Sequence, residues 1–144
     1  MRKIEYDKKN VNGHLEKSIH NLKAMVNFKS QGFSDWSASA SFYCLYHALL
    51  ALIAKFGYES RNQSCTFELV EEFIKQKKIT LTITELKEIF DKDITENLEH
   101  SNKILDIREN MQYSTKTALE DEEFIELQRR TKELFDKIRR NIEE

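Results

Sequence analysis

The chain has no proline and only three glycines among its 144 residues. Strand-rich folds need turn-forming residues at regular intervals, so this scarcity argues against them and favours long helices. Charged residues make up 33% of the sequence and apolar residues 40%, which is typical of a folded, well-solvated domain. The length suits one domain with its own core, and we therefore treat residues 1–144 as a single domain.

The sequence also lacks the common signatures of metal, cofactor and nucleophile sites. It contains no CxxC pair, no HExxH helix, no glycine-rich phosphate loop and no GxSxG elbow. The histidines have no spacing typical of metal ligands, so we predict no metal and no cofactor. Cys44 and Cys65 are expected to be reduced thiols of a cytosolic protein. The N-terminal stretch "MRKIEYDKKN" is charged and lacks the apolar core of a signal peptide, which agrees with a cytoplasmic location.

The charge balance and the apolar runs bear on two further classes of partner, nucleic acid and membrane. A net charge of −2 provides no global attraction to nucleic acid, so any RNA contact would have to use a local basic patch. The most apolar run, residues 38–56, is interrupted by Ser39, Ser41 and His47 and is short for a membrane span. We therefore predict a buried core helix there and no membrane contact.

Hydrophobic periodicity predicts two long helices in the first half of the chain. The first would run from about Asn10 to Ser30 and end at Gly32, with one apolar stripe formed by Val11, Leu15, Ile19, Leu22 and Val26. The second would be capped by Ser34, with Asp35 in its first turn, and end at Gly57. Its segment "SFYCLYHALLALIAKF" is apolar nearly all round, so it should be the central helix.

The second half predicts three more helices. A third would begin near Ser64, and residues 75–82 alternate like a strand that is too isolated to build a sheet. Thr82 and Glu85 form a capping box for a fourth helix that reaches about Met111, and a similar box at Thr117 and Glu120 would open the last helix. The predicted fold class is all-α: an up-and-down antiparallel bundle of four to five helices.

The stretch "DIRENMQYS" concentrates the polar chemistry. Arg108 could hold a phosphate bidentately, with Asn110 and Tyr113 nearby, or it could form a salt bridge with a carboxylate on its own or another helix. Tyr113 shares a face with it only if the helix ends or bends between them. His47 likewise has two interpretations: a core histidine that hydrogen-bonds a neighbouring helix, or a histidine that lines a cleft beside Tyr43.

The second helix and the arginine stretch together resemble the HEPN domain. The helix carries Phe42, Tyr43, Tyr46, His47 and Ala48 in an aromatic-aromatic-x-x-aromatic-His-Ala arrangement, and "IRENMQY" follows before a final charged helix. The resemblance covers roughly residues 35–140 and is closest to the small stand-alone prokaryotic branch. It implies a dimerising helical bundle, in a group that contains metal-independent ribonucleases, toxins of toxin–antitoxin systems, and companions of minimal nucleotidyltransferases.

In the ribonuclease members that the resemblance brings in, an arginine stabilises the phosphate and a histidine four to six residues later moves the proton. Arg108 matches the arginine, but Tyr113 stands where the histidine would be. An unperturbed tyrosine has a pKa of about 10, so it is a poor general base at neutral pH, although it can donate a hydrogen bond or act as an acid.

Three hypotheses follow from the sequence. The first is a homodimeric binding module for nucleotide or RNA phosphate, with Arg108, Asn110, His47 and Tyr43 as ligand-binding residues, or a module that docks a nucleotidyltransferase. The second is a metal-independent endoribonuclease toxin with Arg108 and Tyr113 as a non-standard catalytic pair. The third is a structural interaction protein without a ligand.

Overall fold

The computed structural model describes residues 2–90 and 115–143, and it is an all-α fold. Five α-helices lie in these residues, with a short 3-10 turn at Ser34–Trp36 before the second and a two-stranded ribbon of very short strands. Their bounds are Lys8–Ser30 (α1), Ser37–Lys55 (α2), Gln63–Lys75 (α3), Ile83–Ile89 (α4) and Asp121–Glu143 (α5), with strands Arg2–Lys3 (β1) and Tyr58–Glu59 (β2).

Helices α1 and α2 form an antiparallel hairpin. Asp7 caps α1 by accepting a hydrogen bond from the Lys9 N–H, and Gly32 ends it with a φ of 86° that favours glycine. Two buried serines join the helices: Ser18 Oγ donates to the Cys44 carbonyl at 2.5 Å, and Ser37 Oγ donates to the Met25 carbonyl at 2.7 Å. The hairpin is therefore held by hydrogen bonds as well as by apolar packing.

Helix α2 is the centre of the bundle, as its composition predicted. Leu45, Leu49 and Leu52 are fully buried among the other helices. The segment Ser34–Lys55 is long and apolar enough to cross a membrane by length and composition, with a mean hydropathy of 1.4 over its most apolar 18 residues, yet 78% of that window is buried inside the protein. Its apolar character is therefore explained by its neighbours in the fold.

Helix α5 closes the bundle over α2 and α4. Ser41 Oγ lies 2.6 Å from Thr131 Oγ1 in the interface with α2. In the interface with α4, Arg130 donates two hydrogen bonds to the Glu88 carboxylate, from Nε at 2.6 Å and from Nη2 at 3.1 Å. Polar contacts thus set the position of α5 along both helices.

The N-terminal segment is tied across the end of α2. Arg2 pairs with Glu59 and Lys3 with Tyr58 in an antiparallel ribbon, and the Ile4 N–H donates to the Gly57 carbonyl at 2.7 Å. Gly57 has a φ of 85°, as expected for the residue that ends α2. This ribbon brings residues 4–7 over the start of α1, where they form one wall of the site described below.

Two predicted details of the helix faces and ends were wrong. Val26 is 40% exposed, whereas Met25 is fully buried, because Val11, Ser18 and Met25 recur every seven residues and a hydrogen-bonded serine belongs to the buried face. Ser34 does not cap α2; its hydroxyl accepts a hydrogen bond from the Leu119 N–H instead.

The predicted opening of the last helix was also wrong. It begins at Asp121 and not after Thr117, and the Glu123 carboxylate accepts the Glu120 N–H. Glu123 lies three residues after Glu120, and its side chain reaches back to a backbone N–H at the start of the helix. This is the contact that the glutamate of a capping box makes, so the helix begins later than Thr117 predicted.

The fourth helix forms with the predicted capping box between Thr82 and Glu85 but ends at Ile89. Phe90 is extended, with φ −97° and ψ 158°, and fully buried. Its ring packs edge-on against Phe67 at 5.4 Å and Phe42 at 6.3 Å. Tertiary packing of this aromatic side chain thus overrides the local helical pattern.

The part of that predicted helix from Asp91 to Met111 lies outside the described residues. The strand-like alternation in residues 75–82 reflects burial of Ile79 and Leu81 from a connecting segment, which forms no strand in the structure.

Candidate functional site

An open cleft of about 720 Å³ lies where the N-terminal segment, the first half of α1 and the middle of α2 meet. Because α1 and α2 are antiparallel, the start of one faces the second half of the other. The residues that line the cleft are Ile4, Glu5, Asp7, Lys9, Asn10, Gly13, His14, Lys17, His47 and Glu59.

Two histidines from different helices meet in this cleft. His14 Nδ1 of α1 lies 3.2 Å from His47 Nδ1 of α2, and the rings stack with centroids 5.4 Å apart and planes 26° apart. Two nitrogens at this distance form a hydrogen bond only if one carries the proton and the other is a lone pair. The two Nε2 atoms must then differ as well: in the neutral pair one is an N–H donor and the other an acceptor.

The surroundings of the pair favour the neutral imidazoles. Burial lowers the pKa of His14 below its ordinary value. Burial lowers the pKa of His47 to about 4, with smaller contributions from repulsion by His14 when that ring is protonated and by the Lys17 ammonium group. At neutral pH the cleft therefore presents one imidazole donor and one imidazole acceptor and carries no histidine charge.

Cations flank the histidine pair along α1. Lys9 and Lys17 both line the cleft and are exposed to solvent, on either side of His14. The opposite wall is acidic, with Glu5, Asp7 and Glu59, although the Asp7 carboxylate already caps α1 at 2.9 Å from the Lys9 backbone nitrogen. The cleft thus offers both hydrogen-bond donors and a directional field from the lysine side to the carboxylate side.

Gly13 is one of the residues that line the cleft. It lies inside α1 with an ordinary helical backbone, and a Cβ built on it meets no atom within 4 Å. A glycine in a helix interior costs about 1 kcal/mol relative to alanine. Neither packing nor backbone conformation requires glycine at this position.

The residues predicted from the sequence fall into two groups. Arg108, Asn110 and Tyr113 lie outside the described residues. His47 is at the cleft and half-buried, so it combines both interpretations: it hydrogen-bonds a neighbouring helix and it lines an open space. Tyr43 is 49% exposed one turn away and does not line the cleft.

Sequence reasoning missed His14 and Lys17. His14 follows Val11 by three residues, and therefore stands at the edge of the buried stripe of α1, where a polar side chain meets a neighbouring helix. That position could have marked it as a contact residue. Its pairing with His47 could not be inferred, because the partner depends on how α1 packs against α2.

Other reactive groups are poorly placed for chemistry. Cys44 is buried, and burial raises the pKa of its thiol to about 11, with partial compensation from the Ser18 hydroxyl. Cys44 and Cys65 are both free thiols. Within residues 2–90 and 115–143, no three histidine, cysteine or acidic side chains are grouped as a metal site would require.

Comparison with known proteins gives one family. The family model described as HEPN domain matches residues 11–141, which is nearly the whole chain. The match includes both histidines of the pair and the full length of α2. No curated protein shows a significant match to the sequence.

Proposed function

The chain belongs to the HEPN family, and we propose that it is a binding module that takes a phosphate-bearing ligand, a nucleotide or RNA, into the cleft between α1 and α2. The observation that carries this proposal is the contact of His14 with His47, at 3.2 Å, in an open cleft flanked by Lys9 and Lys17. Imidazole N–H and ammonium groups are common donors to phosphate oxygens.

Because of the histidine pair, we expect the affinity for the ligand to depend on pH. The free pair stays neutral because burial and the nearby positive charge of Lys17 disfavour the additional proton that would charge one of the rings. A bound phosphate would bring negative charge close to both rings and reverse that preference. The pair would then take up a proton and present two donors, so affinity should increase as the pH falls from 8 to 6.

Binding of nucleoside monophosphates, measured by isothermal titration calorimetry, tests the proposal. We expect His47→Gln and Lys17→Ala each to weaken binding about tenfold or more, because each removes a donor from the cleft. Two matched controls lie on α1 outside the cleft: His20→Gln and Lys23→Ala should leave the affinity unchanged. Absence of binding at millimolar ligand, or an equal loss in the control variants, would reject the cleft as the site.

A second candidate is the metal-independent endoribonuclease. It is favoured by the complementary protonation of the two Nε2 atoms, because one neutral imidazole can accept a proton while the other donates a hydrogen bond. Incubation with RNA in EDTA tests it, with His14→Gln, His47→Gln, Arg108→Ala and Tyr113→Phe compared in parallel. Cleavage by the unmodified protein that is lost in a histidine variant would place the catalytic group in the cleft, whereas loss only in the Arg108 or Tyr113 variants would place it elsewhere.

Membership of the HEPN family also leads us to propose protein partners. We expect a cytoplasmic homodimer that, in a toxin–antitoxin or defence setting, docks a minimal nucleotidyltransferase. Light scattering coupled to size-exclusion chromatography measures the first expectation, and co-purification with a co-expressed nucleotidyltransferase measures the second. A monomer at micromolar concentration would remove dimerisation from the proposal without affecting the cleft.

A further inference from the structure

Residues 2–7, which we call the strap, cross the bundle before the first helix begins. Arg2 and Lys3 pair with β2, and the chain then runs past the cleft to Asp7, which caps α1. Ile4, Glu5 and Asp7 line the cleft that holds the histidine pair. The match to the HEPN family begins at residue 11, so the strap lies before the matched region. Its contacts with the cleft are therefore a feature of this chain and not of the family model.

Few contacts hold the strap in place. Its strand and the partner strand have two residues each. Within residues 2–90 and 115–143, one hydrogen bond fixes residues 4–6 to the bundle, from the Ile4 N–H to the Gly57 carbonyl at 2.7 Å. Ile4 is half-buried, whereas Glu5, Tyr6 and Asp7 are exposed. A segment with so little buried apolar surface opens at a small fraction of the global unfolding free energy, so the strap can detach while the helices stay folded.

The strap brings negative charge to the cleft. Glu5 and Asp7 line it together with Lys9 and Lys17 of α1. An anionic ligand that approaches the lysines is attracted by them and repelled by the carboxylates. The Asp7 carboxylate is fixed to the start of α1, because its Oδ1 accepts the Lys9 N–H at 2.9 Å. Glu5 has no place on a helix, so its carboxylate is the one that leaves the cleft when the strap detaches.

We propose that the strap is an autoinhibitory element. In place, it holds the Glu5 carboxylate in the cleft and restricts access to the histidine pair; its detachment opens the cleft to a phosphate-bearing ligand. This inference rests on the proposed phosphate-binding function and adds a regulation of that same site. The attached and detached forms are two states of one folded protein, and the ligand binds the detached form more tightly. The apparent affinity then depends on the fraction of molecules in which the strap is detached.

Detachment of the strap is tested first, without any ligand. Ile4→Pro removes the N–H that fixes the strap, at a position outside the helices. Diethylpyrocarbonate acylates neutral imidazoles, and mass spectrometry of peptides resolves its reaction with each histidine. We expect His47 of the Ile4→Pro variant to react about threefold faster or more, because the detached fraction increases. The exposed His20 should keep its rate, and Tyr6→Pro should change neither rate, because the Tyr6 N–H donates no backbone hydrogen bond within the described residues.

Inhibition by the strap is tested by calorimetric titration of the full chain with adenosine monophosphate. Ile4→Pro should bind the nucleotide about threefold more tightly or more, because the detached form is more populated. Glu5→Gln keeps the strap in place and removes its charge, so it should also increase the affinity while the reactivity of His47 stays unchanged. Glu16→Gln removes an exposed carboxylate of α1 outside the cleft and should change neither measurement.

The outcomes separate this inference from the function on which it rests. Unchanged reactivity of His47 in Ile4→Pro would overturn the inference, because the strap would not cover the histidine pair. Weaker or equal nucleotide binding by Ile4→Pro would make the strap a supporting wall and not an inhibitor, while the cleft remained a phosphate site. If neither the unmodified protein nor Ile4→Pro binds the nucleotide, both proposals fail. If circular dichroism shows that Ile4→Pro does not fold, the affinity of Glu5→Gln decides: an increase supports the inference and no change rejects it.

Discussion

Replacement of each glycine by alanine should change stability with a sign that depends on its backbone. Gly13 has an ordinary helical conformation and free space for an added Cβ, so Gly13→Ala should stabilise the protein by about 1 kcal/mol and raise Tm by about 3 °C. Gly32 also has free space, but its φ is 86°, so Gly32→Ala should cost about 1 kcal/mol through backbone strain alone.

At Gly57, an alanine would suffer both backbone strain and a close steric contact. Its φ is 85°, and an added Cβ would lie 3.1 Å from the carbonyl oxygen of Ile4, whose N–H bonds the Gly57 carbonyl. Strain and displacement of the β1–β2 ribbon together should cost about 2 kcal/mol. Thermal and urea unfolding followed by circular dichroism measure the series. Destabilisation by Gly13→Ala, or equal effects at Gly32 and Gly57, would refute the argument.

The Gly13 variant also bears on the cleft. Gly13 lines the cleft and has free space for an added methyl group, so we expect the more stable Gly13→Ala protein to bind the proposed phosphate ligand less tightly. The Gly13→Ala substitution would then increase stability and decrease affinity for the ligand. An increase in both stability and affinity would mean that the ligand does not approach Gly13.

Three further predictions concern charge and capping. Because burial lowers the pKa of His47 in the folded protein to about 4, below its unfolded value, stability should fall as the pH drops from about 6.5 towards 4. His47→Gln should remove about 1 kcal/mol of that loss at pH 5, a value that is halved to allow for solvent screening. An unchanged pH profile of stability in this variant would contradict the prediction. Arg130→Met should cost about 2 kcal/mol in urea unfolding because it leaves the partly buried Glu88 unpaired. Arg129→Met should cost much less, because its ion pairs are exposed and screened by solvent. Thr82→Ala should cost about 1 kcal/mol through loss of the capping box, and Thr82→Ser should restore most of it.

Local patterns were sufficient for most of the helical framework. The run of apolar residues in α2 predicted a helix surrounded by protein, and Gly32 and Gly57 end α1 and α2 as expected. The capping box at Thr82 forms as predicted. Each of these features depends on side chains within about one turn of each other, so the information is contained in a short stretch of sequence.

The errors occurred where a distant contact outweighed a local preference. Ser34 resembles a helix cap but bonds the Leu119 backbone, 85 residues away. Phe90 continues the helical pattern of α4 but turns into the aromatic cluster with Phe42 and Phe67. No local rule predicts these outcomes, because the competing contact exists only after the chain has folded.

In the candidate site, too, local sequence was sufficient for one residue and only tertiary packing revealed another. The sequence marked His47 as a polar group in an apolar helix and placed it in a HEPN-like motif, and the predicted family is confirmed. It did not identify His14, which becomes significant only at 3.2 Å from His47. Arg108 and Tyr113 remain predictions from the sequence, since they lie outside the described residues.

Periodicity and capping along the chain therefore specify which segments are helical and which of them is central, because neighbouring residues on a helix act on each other through fixed spacings. The pairing of His14 with His47 and the cleft around them arise from the antiparallel packing of α1 on α2. Side chains that are distant in sequence meet only when two surfaces dock, and their docking is a property of the whole core rather than of any one segment.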